Sequence, residues 1–98
     1  MFSIRFARDA VGDLEALDTH VRSRILMAIE ERLTGDPLTR SRNRKQLAGL
    51  VPPWHQVRPV WELRVGEHRV FYDADPAERA VVVQAIRHKG RRTTEEIL

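Results

Sequence analysis

Residues 61–89 carry the strongest structural signal in the chain and read WELRVGEHRVFYDADPAERAVVVQAIRHK. Within them, two runs of alternating polarity, Trp61–Val65 and His68–Asp73, flank the pair Gly66-Glu67. A two-residue connection between alternating runs is typical of a tight β-hairpin. The spacing therefore predicts a hairpin with Gly66 and Glu67 at its turn.

The predicted register gives this hairpin one apolar face and one charged face. The opposed pairs are Val65 with His68, Arg64 with Arg69, Leu63 with Val70, Glu62 with Phe71, and Trp61 with Tyr72. The apolar face consists of Trp61, Leu63, Val65, Val70 and Tyr72, and the other face of Glu62, Arg64, Arg69 and Phe71. Directly opposed arginines are destabilising unless an anion lies between them. Arg64 and Arg69 therefore predict a phosphate site, with solvated ion pairs to Glu62 and Glu67 as the alternative.

Length and composition indicate a small globular protein. The chain has 98 residues, which suits a single domain, and its 42% apolar content suffices for a core. No apolar run approaches the roughly 20 residues of a membrane span, and the first residues lack a secretion signal, so we expect a cytoplasmic protein. With no cysteine and no ligand spacing around His20 or His55, we expect no metal and no cofactor.

The charge distribution indicates an acidic partner. Residues 1–39 hold five basic and seven acidic side chains, whereas residues 40–98 hold twelve and seven. Fifteen of the seventeen basic residues are arginine, whose planar guanidinium suits bidentate contact with phosphate. A GC-rich genome would also raise the arginine content, but it would not place the excess in one half of the chain. The asymmetry favours nucleic acid as the partner.

The rest of the chain predicts an α+β fold. The predicted elements are a first strand over Phe2–Phe6, a helix over Arg8–Leu17, a second helix capped by Asp18 or Thr19 and ended by Gly35, an irregular connection over Leu38–Arg58, and a central strand over Ala80–Arg87. Thr93 and Glu96 have the spacing of a capping box for a final helical turn. The order is an N-terminal strand, a two-helix hairpin and a three-stranded antiparallel meander, with the helices packed on one face of the sheet.

Three segments resemble the RelE/ParE superfamily of type II toxin–antitoxin toxins. They are Arg44–Leu47, Trp61–Tyr72 and Val81–Lys89, and they follow the predicted helical hairpin in the family's order and at its separations. RelE-like members cleave messenger RNA on the ribosome without a metal, whereas ParE-like members share the fold and poison DNA gyrase. The resemblance implies one of these activities and favours the RelE-like branch.

The resemblance also implies a set of catalytic residues. Arg69 matches the arginine that contacts the scissile phosphate, and Lys45 matches a lysine that transfers a proton or stabilises charge. Arg92, with Arg91 as the alternative, matches an arginine beyond the last strand. RNA-cleaving members then carry a tyrosine, which Thr93–Leu98 lacks. His88 is the natural substitute because the ordinary pKa of histidine, about 6.5, suits proton transfer near neutrality.

The remaining basic residues of these segments are candidate contacts to the RNA backbone. They are Arg64, Arg44, Lys89 and Arg91. The implied partners are a cognate antitoxin, the ribosome and its messenger RNA. A heterotetramer with the antitoxin is one assembly that the resemblance allows. The alternative is a ParE-like or catalytically inactive relative that binds DNA gyrase or another target without cleaving RNA, and no membrane is implied. A DNA-binding module is the least favoured alternative, because both predicted helices lie in the acidic half of the chain.

Overall fold

The computed structural model describes residues 1–98 and has an α+β fold, as predicted. Its elements are β1 (Ser3–Phe6), α1 (Arg8–Glu15), α2 (Thr19–Leu33), β2 (Arg44–Gln46), β3 (Trp61–Val65), β4 (His68–Asp75), β5 (Ala80–His88) and α3 (Thr94–Ile97). The five strands form one sheet in the order β1-β5-β4-β3-β2. β1 is parallel to β5, and the other neighbouring strands are antiparallel. None of the three helices has the length and apolar character that crossing a membrane requires.

The predicted hairpin is confirmed in register. All five predicted pairs are present between β3 and β4, including Arg64 opposite Arg69. Gly66 adopts a φ of 57° at the turn, a left-handed conformation that favours glycine. The apolar face packs into the main core beneath α1 and α2. The charged face is left on the opposite side of the sheet.

Helix α2 covers the apolar face. Asp18 caps it by accepting a hydrogen bond from the Val21 backbone N–H at 3.0 Å, a cap that contributes about 1 kcal/mol. Ile25, Ile29 and Leu33 form its buried stripe, as their spacing of four residues requires. The helix ends at Leu33, two residues before Gly35.

The sheet has one more strand than the sequence predicted. Arg44–Gln46 lies within the segment expected to be irregular, yet it pairs antiparallel with β3. Three polar residues show no alternation of their own, so this edge strand owes its conformation to the neighbour that it pairs with. The predicted meander is correct but forms only β3–β5 of the five-stranded sheet.

A β-bulge in β5 changes which side chains face the helices. Phe71 pairs with Ala85 and Tyr72 with Val83, which leaves Gln84 as an extra residue between them. Beyond the bulge, Ile86 joins the main core. Arg87, which pairs with Arg69, therefore lies on the charged face.

The second face of the sheet is partly covered by a smaller apolar cluster. Val60, Phe71, Ala85 and Ile97 are its buried members, and Trp54 packs against them. The Trp54 and Phe71 ring centroids lie 6.3 Å apart, so Trp54 seals the edge of this cluster. The predicted capping box of α3 is present, with Thr93 and Glu96 bonded reciprocally. This cover leaves the charged part of β3 and β4 open.

Candidate nucleic-acid interface

The open part of the second face is a cleft of about 410 Å³. Its lining contains no apolar side chain and consists of Arg40, Ser41, Arg42, Asn43, Arg44, Lys45, Glu62, Arg64, Arg69, Lys89, Thr93 and Thr94. Seven of these residues are basic and only one is acidic, which gives the lining a formal charge of +6. A concave surface with this charge attracts and concentrates anions.

Three arginines lie side by side across the floor of the sheet. Arg64 of β3 is opposite Arg69 of β4, and Arg69 is opposite Arg87 of β5. Arg87 is neutralised at the sheet edge by an ion pair with Asp13 of α1. Arg64 forms no ion pair. The repulsion predicted for Arg64 and Arg69 is therefore relieved by a carboxylate on Arg69 alone.

Arg69 is the most firmly held cation of the cleft. Its side chain is 13% exposed, and its Nη1 donates to the backbone oxygens of Gly66 at 3.0 Å and of His68 at 2.9 Å. Its Nε lies 3.4 Å from Oε1 of Glu62. These contacts fix the plane of the guanidinium, which is the condition for directed contact with an anion.

Glu62 joins the two central cations. Its side chain is only 4% exposed, and Oε2 lies 3.6 Å from Nζ of Lys45, whose own side chain is 56% exposed. The Thr94 hydroxyl donates to Oε1 at 3.2 Å. Both carboxylate oxygens are therefore engaged, and Arg69 and Lys45 converge on one carboxylate instead of each having its own.

Arg44 and Lys89 also line the cleft, in different ways. Arg44 donates from Nε to the Thr39 oxygen at 3.1 Å and from Nη1 to the Arg32 oxygen at 2.9 Å, so its guanidinium ties the segment before β2 to the end of α2. The Lys89 backbone N–H donates to the Glu67 oxygen at 2.8 Å, and its side chain forms no ion pair.

Three of the predicted residues lie outside the cleft lining. Arg92 donates to the His88 backbone oxygen, and Arg91 is exposed. His88 pairs with His68 across β4 and β5, their ring centroids 5.1 Å apart, on the face of the sheet that the helices cover. The structure thus brings together Arg69, Lys45, Arg64, Arg44 and Lys89, and it does not bring His88, Arg91 or Arg92 to them.

The sequence assigned no role to Arg87 and named Glu62 only as a partner in the alternative of solvated ion pairs, and Glu62 does form an ion pair with Arg69. Alternation placed Glu62 on the charged face, but its contacts with Lys45 and Thr94 depend on β2 and α3, which are distant in sequence. Arg87 reaches the charged face only because the bulge at Gln84 shifts the alternation of β5. No pattern in β5 signals that bulge.

The chemistry of the lining is that of anion binding. It contains no histidine and no tyrosine, and no group of three or more histidine, aspartate or glutamate side chains is placed to hold a metal ion. The pKa of Glu96, beside the cleft, is held below its ordinary value by hydrogen bonds from Thr93. Lys45 is the most accessible proton-carrying group among the central residues.

Comparison with known proteins identifies one matching protein family. The sequence profile described as "ParE toxin of type II toxin-antitoxin system, parDE" matches residues 4–93. No curated protein sequence matches the chain.

Several solved structures share the fold. The RelBE2 toxin–antitoxin complex of Mycobacterium tuberculosis matches with a TM-score of 0.70 at 23% identity over 89% of this chain and 96% of that chain. The RelE–RelB complex of Pyrococcus horikoshii OT3 matches with a TM-score of 0.70 at 18% identity over 92% and 97%. The isolated RelE toxin of E. coli matches with a TM-score of 0.59 at 16% identity over 96% and 89%.

Proposed function

The chain belongs to the ParE toxin family, within the RelE/ParE superfamily of type II toxin–antitoxin toxins, and from this premise we propose that it inhibits translation by cleaving messenger RNA in the ribosomal decoding site. The observation that carries the proposal is the cleft on the second sheet face, where seven basic residues surround one carboxylate. An extended phosphodiester backbone is the ligand that such a lining suits. These proposed targets place its action in the cytoplasm.

The proposed reaction uses the nucleotide's own hydroxyl group. The 2′-oxygen attacks the adjacent phosphorus, the bond to the 5′-oxygen breaks, and a cyclic phosphate forms. Arg69 and Lys45 neutralise the charge that builds on the phosphoryl oxygens, which is the largest contribution expected of fixed cations. The 2′-hydroxyl proton passes to water, and the Lys45 ammonium protonates the departing 5′-oxygen.

The flanking cations hold the rest of the strand. Arg64 and Lys89 lie in the same lining as Arg69 and form no ion pair, so each is available to a neighbouring phosphate. Arg44 contributes charge but keeps its guanidinium on backbone oxygens. His88, Arg91 and Arg92 take no part in this arrangement, because they do not line the cleft.

A cognate antitoxin is part of the proposal. The similar structure from Mycobacterium tuberculosis is a toxin–antitoxin complex, and the one from Pyrococcus horikoshii is a RelE–RelB complex. For this chain we propose an antitoxin with an acidic segment that covers the cleft, because a lining of +6 favours an anionic partner and a salt-dependent complex.

Purified ribosomes with a programmed message test the cleavage. We expect a shortened message with the wild-type chain and a rate at least about a hundredfold lower with Arg69→Ala, since Arg69 would stabilise the transition-state charge. Arg5→Ala, an exposed arginine of β1 outside the cleft, is the matched control and should cleave normally. An intact message with the wild-type chain would reject the proposal.

A second candidate, inhibition of DNA gyrase by contact alone, is favoured by one observation. The cleft lining contains neither histidine nor tyrosine, the side chains that most often move protons in metal-independent cleavage near neutral pH. Gyrase supercoiling assays separate the candidates. Arrested supercoiling with an intact message supports the gyrase candidate, and normal supercoiling with a cleaved message supports the ribonuclease.

A further inference from the structure

Glu62 is the single anion in the lining of the cleft. It lies on β3 among seven cations, and the side chain is 4% exposed. A carboxylate so far from water is stable only with partners, and here they are Arg69, Lys45 and Thr94. The cations that would meet a phosphate are thus already facing an anion.

The contacts of Glu62 with these cations are loose. The separations of 3.4 Å from Arg69 and 3.6 Å from Lys45 exceed the roughly 2.7–2.9 Å of a strong charge-assisted hydrogen bond. The two backbone acceptors of Arg69 both use Nη1, so its Nε and Nη2 have no backbone acceptor and can donate to another anion while the guanidinium keeps its fixed plane. Phosphate oxygens prefer the same donors as a carboxylate.

We propose that Glu62 is an internal counter-ion that occupies Arg69 and Lys45 in the free protein and yields them to a phosphate of the bound strand. This inference rests on the proposed function and specifies its ligand. A single phosphodiester only replaces the negative charge of Glu62 at Arg69, so it gains little binding free energy. A nucleic-acid strand gains more binding free energy, because its flanking phosphates reach Arg64 and Lys89, which form no ion pair.

The ligand class that follows is a strand with several consecutive phosphates. Glu62 makes the cleft discriminate against mononucleotides and inorganic phosphate, which cannot engage Arg69 and the flanking cations together. Glu62 is therefore a specificity-determining residue. A residue that merely held Arg69 in place would increase the affinity for every anion instead of lowering it.

Binding measurements on Glu62→Gln test the inference without ribosomes. The probe is a fluorescein-labelled single-stranded RNA of about ten nucleotides, and uridine monophosphate is the single-phosphate competitor. Removing one negative charge a few ångströms from the bound phosphate should tighten RNA binding about tenfold and should make uridine monophosphate a measurable competitor. Glu78→Gln, an exposed acid beyond β4, removes the same charge far from the cleft and should bind like the wild type.

Unchanged or weaker RNA binding by folded Glu62→Gln would overturn the inference, as would the absence of binding by both proteins. If Glu62→Gln does not fold, the wild-type chain is decisive, because its Glu62 side-chain carboxyl ¹³C resonance should move on RNA addition if the ion pairs are exchanged. An unmoved resonance in the bound state also overturns the inference. The two proposals can fail separately. If the message stays intact but Glu62→Gln binds RNA more tightly, only the proposal of RNA cleavage is rejected. If cleavage depends on Arg69 but Glu62→Gln does not bind RNA more tightly, only the counter-ion proposal is rejected.

Discussion

Arg69 shows how backbone atoms and one carboxylate together prepare a cation for an anion. The turn at Gly66 directs a carbonyl oxygen toward Nη1 of Arg69 at 3.0 Å, so the hairpin that creates the pair of arginines also orients one of them. Lysine could not keep this arrangement, because its ammonium lacks the planar set of donors. The hairpin turn and the cleft are therefore one structural unit.

His68 provides a prediction about pH at the scale of one residue. Burial lowers the pKa of His68 below its ordinary value of 6.5, and electrostatic repulsion from His88, Arg24 and Arg69 lowers it further. The carboxylate of Glu67 partly offsets this by raising the pKa. Below pH 6.5 the unfolded chain therefore binds a proton that the folded chain resists. We expect the free energy of unfolding to fall as the pH drops from 6.5 through the lower pKa of the folded state.

Urea denaturation between pH 7.5 and pH 5 measures this dependence. His68→Gln should flatten the curve in that range, whereas His55→Gln, in the exposed connection before β3, should leave it parallel to that of the wild type. Equal pH dependence in the His68→Gln variant and the wild type would show that another group is responsible.

At the scale of elements, α1 secures the bulged end of β5. β1 pairs with β5 only as far as Val83, which leaves the edge of β5 beyond that point without a strand. Asp13 of α1 accepts the Ile86 backbone N–H at 2.9 Å and forms an ion pair with Arg87. The Asp13 carboxylate thus accepts a hydrogen bond from the unpaired edge of β5 and also neutralises Arg87, the third arginine of the charged face.

Asp13→Ala should destabilise the protein by about 1–3 kcal/mol, because it leaves the Ile86 backbone N–H without its acceptor and the Arg87 guanidinium without its carboxylate. Asp13→Asn keeps an acceptor oxygen for Ile86 but loses the charge, and it should lie between alanine and the wild type. The midpoint and slope of urea denaturation give both values. Equal stabilities for wild type and Asp13→Ala would mean that water replaces the carboxylate without cost.

At the scale of the whole molecule, the fold separates the two charge classes of the chain. Both long helices come from the acidic segment 1–39 and cover one face of the sheet, whereas the basic segment 40–98 supplies every residue of the cleft on the other face. A net charge of only +3 therefore hides a local charge of +6. Electrostatic attraction to a polyanion, such as the proposed RNA, would therefore act on that one face.

The affinity for single-stranded RNA should depend steeply on salt. Four phosphate contacts, from Arg69, Lys45, Arg64 and Lys89, would release about 0.7 ions each, so a fourfold rise in salt should weaken binding about fifty-fold. Arg64→Gln should lower the slope of log affinity against log salt by about 0.7. Arg5→Gln, outside the cleft, should leave the slope unchanged, and a salt-independent affinity would exclude the cleft as the binding surface. Fluorescence anisotropy at several salt concentrations gives the slopes.

Local sequence patterns were enough to predict the hairpin register, the buried stripe of α2, its Asp18 cap and the α3 capping box. These features depend on alternation, helical periodicity and residues within a few positions of each other, which local steric and hydrogen-bonding preferences control. The convergence of Arg69 with Arg64 followed from the same alternation. The asymmetry of charge was also visible in the chain.

The surroundings of those arginines depend on contacts between segments that are distant in the chain. β2 becomes a strand because β3 offers its edge, and the bulge at Gln84 moves Arg87 onto the charged face. His88, separated from His68 by twenty positions in the chain, meets it across two strands and stays away from the cleft. Glu62 finds Lys45 and Thr94 through contacts between distant segments. Such contacts form when the whole sheet assembles, and no local pattern encodes them, because their energy comes from neighbours far away in sequence.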